Sequence, residues 1–166
     1  MKKTAAMLVL SSGFLVAAGP AGAASDYLFL KLPGITGTST VTGHLGDIEV
    51  LSFSAGVSAK KGTGSTCSDL NVMKITDQTS PLLFARTLFG IDFDHATLTY
   101  SQNSVSGVVD VYSITLNNVS ITSVQDAGST GAGQPPTEAL SLHATSWVAT
   151  FVPPTGPPVT TTVTCK

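Results

Sequence analysis

The chain has 166 residues, of which eight are Lys or Arg and ten are Asp or Glu, giving a formal net charge of −2 at pH 7. Charged residues make up 11% of it, against roughly 25% in an ordinary soluble domain. Beyond the first three residues the only adjacent cations, Lys60-Lys61, stand beside glycines, so the clustered positive charge that a nucleic-acid binder needs is missing.

Residues 1–23 read as a secretory signal. Met1-Lys2-Lys3 precedes an apolar run from Ala5 to Ala18, and Ala21-Gly22-Ala23 is a small-x-small cleavage pattern. The apolar run is shorter than the roughly 20 residues that span a bilayer, so no stable membrane insertion is expected. Cleavage near Ala23 would leave a secreted or periplasmic chain of a length that suits one domain with a core of its own. We assign that domain to residues 24–153 and a Pro/Thr-rich tail to 154–166.

Asp26 to Leu32 alternates around Leu28 and Leu30 and predicts a first strand, stopped by Pro33-Gly34. A Gly/Thr/Ser loop follows, and then GDIEVLSFSAGVS (46–58), expected to be the longest strand. Its apolar phase slips: Ile48 and Val50 share one parity, whereas Leu51, Phe53 and Ala55 take the other. Residues 60–68 (KKGTGSTCS) are expected to be a long flexible connection. Asp69 to Ile75 predicts a third strand, buried through Leu70, Val72 or Met73, and Ile75.

One helix is predicted near 81–89. Ser80 can cap it, Pro81 fits its first position and Gly90 can end it in a left-handed conformation. Its apolar residues run nearly all the way round, so it should be covered on more than one side, in part by another subunit. Strands then follow at 96–100, 108–124 and 139–151. In the second, Leu116 gives way to Val119 across Asn117-Asn118; in the third, Leu142 gives way to Trp147. A strand that turns a corner between sheets must exchange its inward face; a short hairpin at each change is the competing explanation. The fold class expected is therefore all-β, a small two-sheet barrel with one flanking helix. In the tail, 159–163 either pairs with a sheet edge or is unstructured.

Residues that carry chemistry are sparse. His44, His95 and His143 match no ligand spacing, and the cluster Asp92, Asp94 and His95 is ordinary turn composition. No serine sits in a Gly-x-Ser-x-Gly elbow, the lysines at 60–61 precede the glycines that a phosphate loop would put before them, and Glu49 and Glu138 show no reason to work together. No cofactor, metal or catalytic residue is expected. Cys67 and Cys165 are the only cysteines, and an oxidising compartment favours an intramolecular disulfide over free thiols or a bond between chains.

Four segments in order, HLGDIEVLSFSAGVS (44–58), KITDQTSPLL (74–83), YSITLNNVSITSV (112–124) and PTEALSLHATSWVATFVP (136–153), resemble the Hcp family, the hemolysin-coregulated tube proteins of type VI secretion. The resemblance spans about 26–153. It implies a compact β-barrel with one flanking helix, six copies forming a ring, rings stacking into a tube, and a lumen that holds small secreted effectors. It would make the loop and the helix subunit contacts, with Lys60, Lys61, Thr63, Leu82, Phe84, Arg86 and Phe89 as interface candidates. The signal and the two cysteines depart from the family pattern and point to an exported, non-enzymatic relative. The alternative is a secreted monomeric barrel that binds a ligand or a protein.

Overall fold

The computed structural model describes residues 26–60, 64–130, 133 and 135–165. The expected secretory signal at 1–23 and the interface candidates Lys61 and Thr63 lie outside the described residues. Among the described residues, ten strands and one helix run in the order β1 (Asp26–Lys31), β2 (Ile48–Glu49), β3 (Ser52–Ser54), β4 (Val57–Lys60), β5 (Gly64–Cys67), β6 (Leu70–Ile75), α1 (Ser80–Phe89), β7 (Phe93–Ser104), β8 (Gly107–Ala127), β9 (Thr137–Phe151) and β10 (Val159–Thr164). Eight strands form one antiparallel sheet, ordered β2-β1-β7-β8-β9-β6-β3, with β10 added on β9; β4 and β5 make a separate two-stranded sheet. This is the barrel-like, one-helix all-β fold expected from the sequence.

The phase slip at 50–51 is where the sheet curls on itself. Ile48 and Glu49 pair with β1, and Val50 donates its N–H to Leu28 O at 2.9 Å; one residue later Leu51 donates to Met73 O at 2.7 Å, and Ser52 to Ser54 pair with β6. One bent segment thus holds both ends of the sheet. The expected long strand is three short ones, and the longest is β8 with 21 residues. Ile48 and Val50 are buried and Phe53 packs partly on the core, but Leu51 stays 55% exposed at the corner itself.

The other two phase changes share one transverse line. Successive buried residues are three apart in all three adjacent strands there: Phe93 and Ala96 on β7, Leu116 and Val119 on β8, Ala144 and Trp147 on β9. His95 lies opposite Asn117, which lies opposite Ser146, so the changes align across the sheet. β8 runs through without a hairpin. Asn118 absorbs the exchange at φ 49°, a left-handed conformation that Asn tolerates better than most residues, and its Nδ2 donates to Thr145 Oγ1 at 3.0 Å. On one side of this crease β9 pairs with β6 through 137–142, and on the other it pairs with β10 through 146–151. The sheet therefore forks, and the tail forms its upper branch.

Two further expectations change. Residues 57–60 and 64–67 pair as two antiparallel strands within the stretch expected to be a flexible connection, with Val57 opposite Cys67 and Lys60 opposite Gly64. In β6 the inward parity is Leu70, Val72 and Lys74, leaving Met73 and Ile75 partly exposed. Lys74 takes the place that an apolar residue was expected to hold, because buried acceptors await it.

Candidate functional site: an assembly surface

Helix α1 starts one residue earlier than Ser80 would cap it. Thr79 is the N-cap and makes no side-chain capping bond. Ser80 is instead buried, its hydroxyl accepting from the Asp77 N–H at 3.1 Å and from Lys74 Nζ at 3.2 Å. Gly90 ends the helix at φ 59°, where the Ile91 N–H returns to Arg86 O at 3.0 Å. Between these ends only Leu83 among the large apolar side chains is fully buried, against the shell. Leu82, Phe84, Leu88 and Phe89 all remain exposed, Leu88 by 79% and Phe89 by 70%. A helix with such an outer face has a second apolar surface that no described residue of its own chain covers. Arg86 differs: its guanidinium stacks over the Phe93 ring, 5.1 Å from the centroid.

A buried polar cluster holds the helix start to the sheet. Lys74 Nζ, wholly buried, lies 2.9 Å from Asp77 Oδ1, 3.2 Å from Glu138 Oε1, and donates to Ile75 O at 2.8 Å. Burial works to raise the Asp77 carboxyl, but hydrogen bonds from Thr79 and Lys74 outweigh it and hold the group below its usual range. Burial pushes Glu138 up, offset only in part by Lys74. The Lys74–Glu138 contact is an ion pair without an aligned hydrogen bond. Sequence reasoning missed this triad, whose members are scattered across β6, the following turn and β9.

A second cluster pins the 34–47 loop. His44 stacks on Phe29 with centroids 4.1 Å apart, and its ring bridges Asp47 (Nδ1, 3.0 Å) and Asp110 (Nε2, 2.9 Å). Ser101 Oγ lies 3.3 Å from the same Nε2 but donates to Asp110 at 2.7 Å. Asp47, His44 and Ser101 thus line up as a hydrolase's would. Ser101 is wholly buried, so no acyl substrate reaches it, and the arrangement fastens a loop. Among the described residues no group of three or more His, Cys, Asp or Glu is placed to hold a metal ion.

The hairpin is the other projecting element. Cys67 is bonded to Cys165 with Cα atoms 5.2 Å apart, and the Cys165 N–H reaches Thr145 O at 2.9 Å, so the returning strand β5 is tied to the crease. The structure puts Lys60 at the end of β4, on an element remote in sequence from the four apolar residues of α1. Among the described residues, no helix is long and apolar enough to cross a membrane.

Among the described residues, the chain is a curled β-shell with one helix whose outer face is apolar. Solved structures similar to it include Hcp1 from Salmonella typhimurium (TM-score 0.74, 22% identity, covering 84% of this chain and 94% of that one) and a type VI secretion system effector from Yersinia pestis (0.72, 23%, 82% and 98%). The secreted protein Hcp3 from Pseudomonas aeruginosa is a third (0.64, 17%, 87% and 99%). A search of the curated proteins finds no match. The family model described as type VI secretion system effector, Hcp, matches residues 29–151, and the chain belongs to that family. Its role is accordingly that of an Hcp-like structural component of type VI secretion. Strand β10 and Cys165 lie beyond the matched region.

Proposed function

We propose that this chain is an exported, non-enzymatic Hcp relative whose copies assemble into hexameric rings outside the cytoplasm. The observation that carries the reading is the outer face of α1, where Leu82, Phe84, Leu88 and Phe89 are exposed together. Monomeric proteins rarely leave such a contiguous apolar area in water. The low charge content adds to it, since weak self-repulsion eases association of like copies. Export is supported by the leader-like sequence at 1–23 and by a disulfide, a bond that persists in oxidising compartments. In the ring, α1 and the β4–β5 hairpin face neighbouring copies, and the lumen accommodates a small secreted effector.

Light scattering on the chain processed after Ala23, coupled to size exclusion, tests the ring. A mass six times that of the protomer is expected. A sharp monomer at high protein concentration overturns the ring and leaves a monomeric secreted binding barrel.

A further inference from the structure

Above the crease, one face of the upper branch is roofed but not filled. Tyr112 and Ile114 of β8, Trp147 and Ala149 of β9, and Thr161 and Val163 of β10 line one cavity: Ile114 is opposite Ala149, Ala149 opposite Thr161, and Trp147 opposite Val163. Residues 55–57, leading into β4, cross over this floor and leave a space of about 230 Å³. Val57 pairs with Cys67, which is bonded to Cys165, the residue that follows β10. The roof is therefore paired with a strand whose last residue is bonded covalently to the residue after β10, the strand that supplies part of the floor.

Trp147 is only 5% exposed, lines this space, and its indole N–H has no acceptor among the described residues. Buried indole N–H groups ordinarily have a partner, and one left without calls for an occupant that supplies it. No Asp, Glu, Lys, Arg or His lines the space, so a charged ligand would be desolvated without compensation. The volume exceeds the roughly 150 Å³ that admits benzene and falls short of the roughly 300 Å³ at which drug-sized sites begin.

We propose that the cavity under the hairpin binds a small uncharged molecule with an apolar body of roughly benzene size and one carbonyl oxygen, which accepts the Trp147 indole proton. The site goes beyond the assembly reading and does not rest on it, since its lining residues belong to neither α1 nor the hairpin's far end.

Trp147 is the sole tryptophan, so the ¹⁵N-labelled protein has a single indole N–H resonance to follow. Titration with cyclohexanone is expected to move that resonance downfield and to saturate. Methylenecyclohexane, which replaces the carbonyl oxygen with a carbon, is expected to bind about tenfold more weakly, as befits the loss of one hydrogen bond. Ala149→Leu, which fills the floor, is expected to abolish the shift, and Thr161→Leu on the exposed strand β10 serves the same purpose should the first variant misfold. An indole resonance that cyclohexanone does not move overturns the site, which water then occupies. Equal binding of ketone and hydrocarbon overturns the acceptor, and a shift that survives in a folded filling variant overturns the location.

Discussion

Lys74 and Glu138 are both wholly buried and 3.2 Å apart, and the ammonium, which Asp77 also holds at 2.9 Å, offsets part of the cost of burying the Glu138 carboxylate. Removing one partner of such a pair strands a charge in the interior and costs about 3–5 kcal/mol, whereas replacing both by apolar residues is often neutral. Lys74→Met is expected to destabilise by that amount in urea unfolding, and Lys74→Met with Glu138→Leu to recover most of it; additive losses would show that the two do not interact. The two acids around the ammonium respond to pH in opposite senses. Asp77 is held below its usual 3.8, so its contribution is present above that value and lost as pH falls through the folded one. Glu138 is raised above its usual 4.5, so its contribution is complete below 4.5 and lost as pH rises through the folded value. Together they place their joint optimum between the two ordinary values, 3.8 and 4.5. Glu138→Gln is expected to flatten the decline of stability on the alkaline side of that optimum while leaving the acid limb, which Asp77 governs; an unchanged slope in a pH series of melting points would remove Glu138 from the account.

Among the elements, the β4–β5 hairpin depends most on something outside itself. It pairs with no other strand, and a lone two-stranded sheet is marginal in water. The Cys67–Cys165 bond closes a separation of 98 residues, which in the chain-entropy model stabilises by about 4–5 kcal/mol. Reduction is expected to lower global stability by up to that amount. Hydrogen exchange should quicken first in Val57–Lys60, Gly64–Cys67 and Val159–Thr164, while β7 and β8 keep their protection. Uniform acceleration across the sheet would mean that the bond does not act locally. The same elements mark how far the sequence could be read. Exchanges of inward parity were visible at 50–51, at Asn117-Asn118 and between Leu142 and Trp147, because burial writes itself into alternation, and a bent sheet was the right inference. The hairpin was not visible, since Gly, Ser, Thr and Lys carry no apolar period when both faces of a strand are solvated. Lys74 and Glu138 sit at inward positions where alternation predicts apolar side chains, and nothing local in sequence joins them. Ser80 looked like a cap because its local context is that of one; a lysine six residues earlier had claimed the hydroxyl. The tail stayed open between pairing and disorder because a Val/Thr run pairs only where an edge exists, and the fork in β9 is a property of the folded sheet.

At the scale of the whole molecule, the shell's exposed apolar residues, among them Leu45, Leu51 and Val105, are spread over several loops and strands, whereas α1 turns four, Leu82, Phe84, Leu88 and Phe89, outward from one ten-residue element. Those side chains contribute little to the isolated fold, since Leu83 alone anchors the helix face and Arg86 adds its stacking on Phe93. In the ring proposed above, their value lies in contact with a neighbouring copy. Leu88→Glu with Phe89→Glu is therefore expected to leave the urea midpoint of the dissociated protomer within about 0.5 kcal/mol of the parent, as exposed substitutions usually do. In assembly the pair would bring two carboxylates per copy into a desolvated contact, where unpaired charge costs several kcal/mol, so scattering should report protomers in place of rings. An assembly that survives both charges would move the contact from α1 to the hairpin. A protomer that unfolds much earlier would instead assign the two residues to the core, against their exposure.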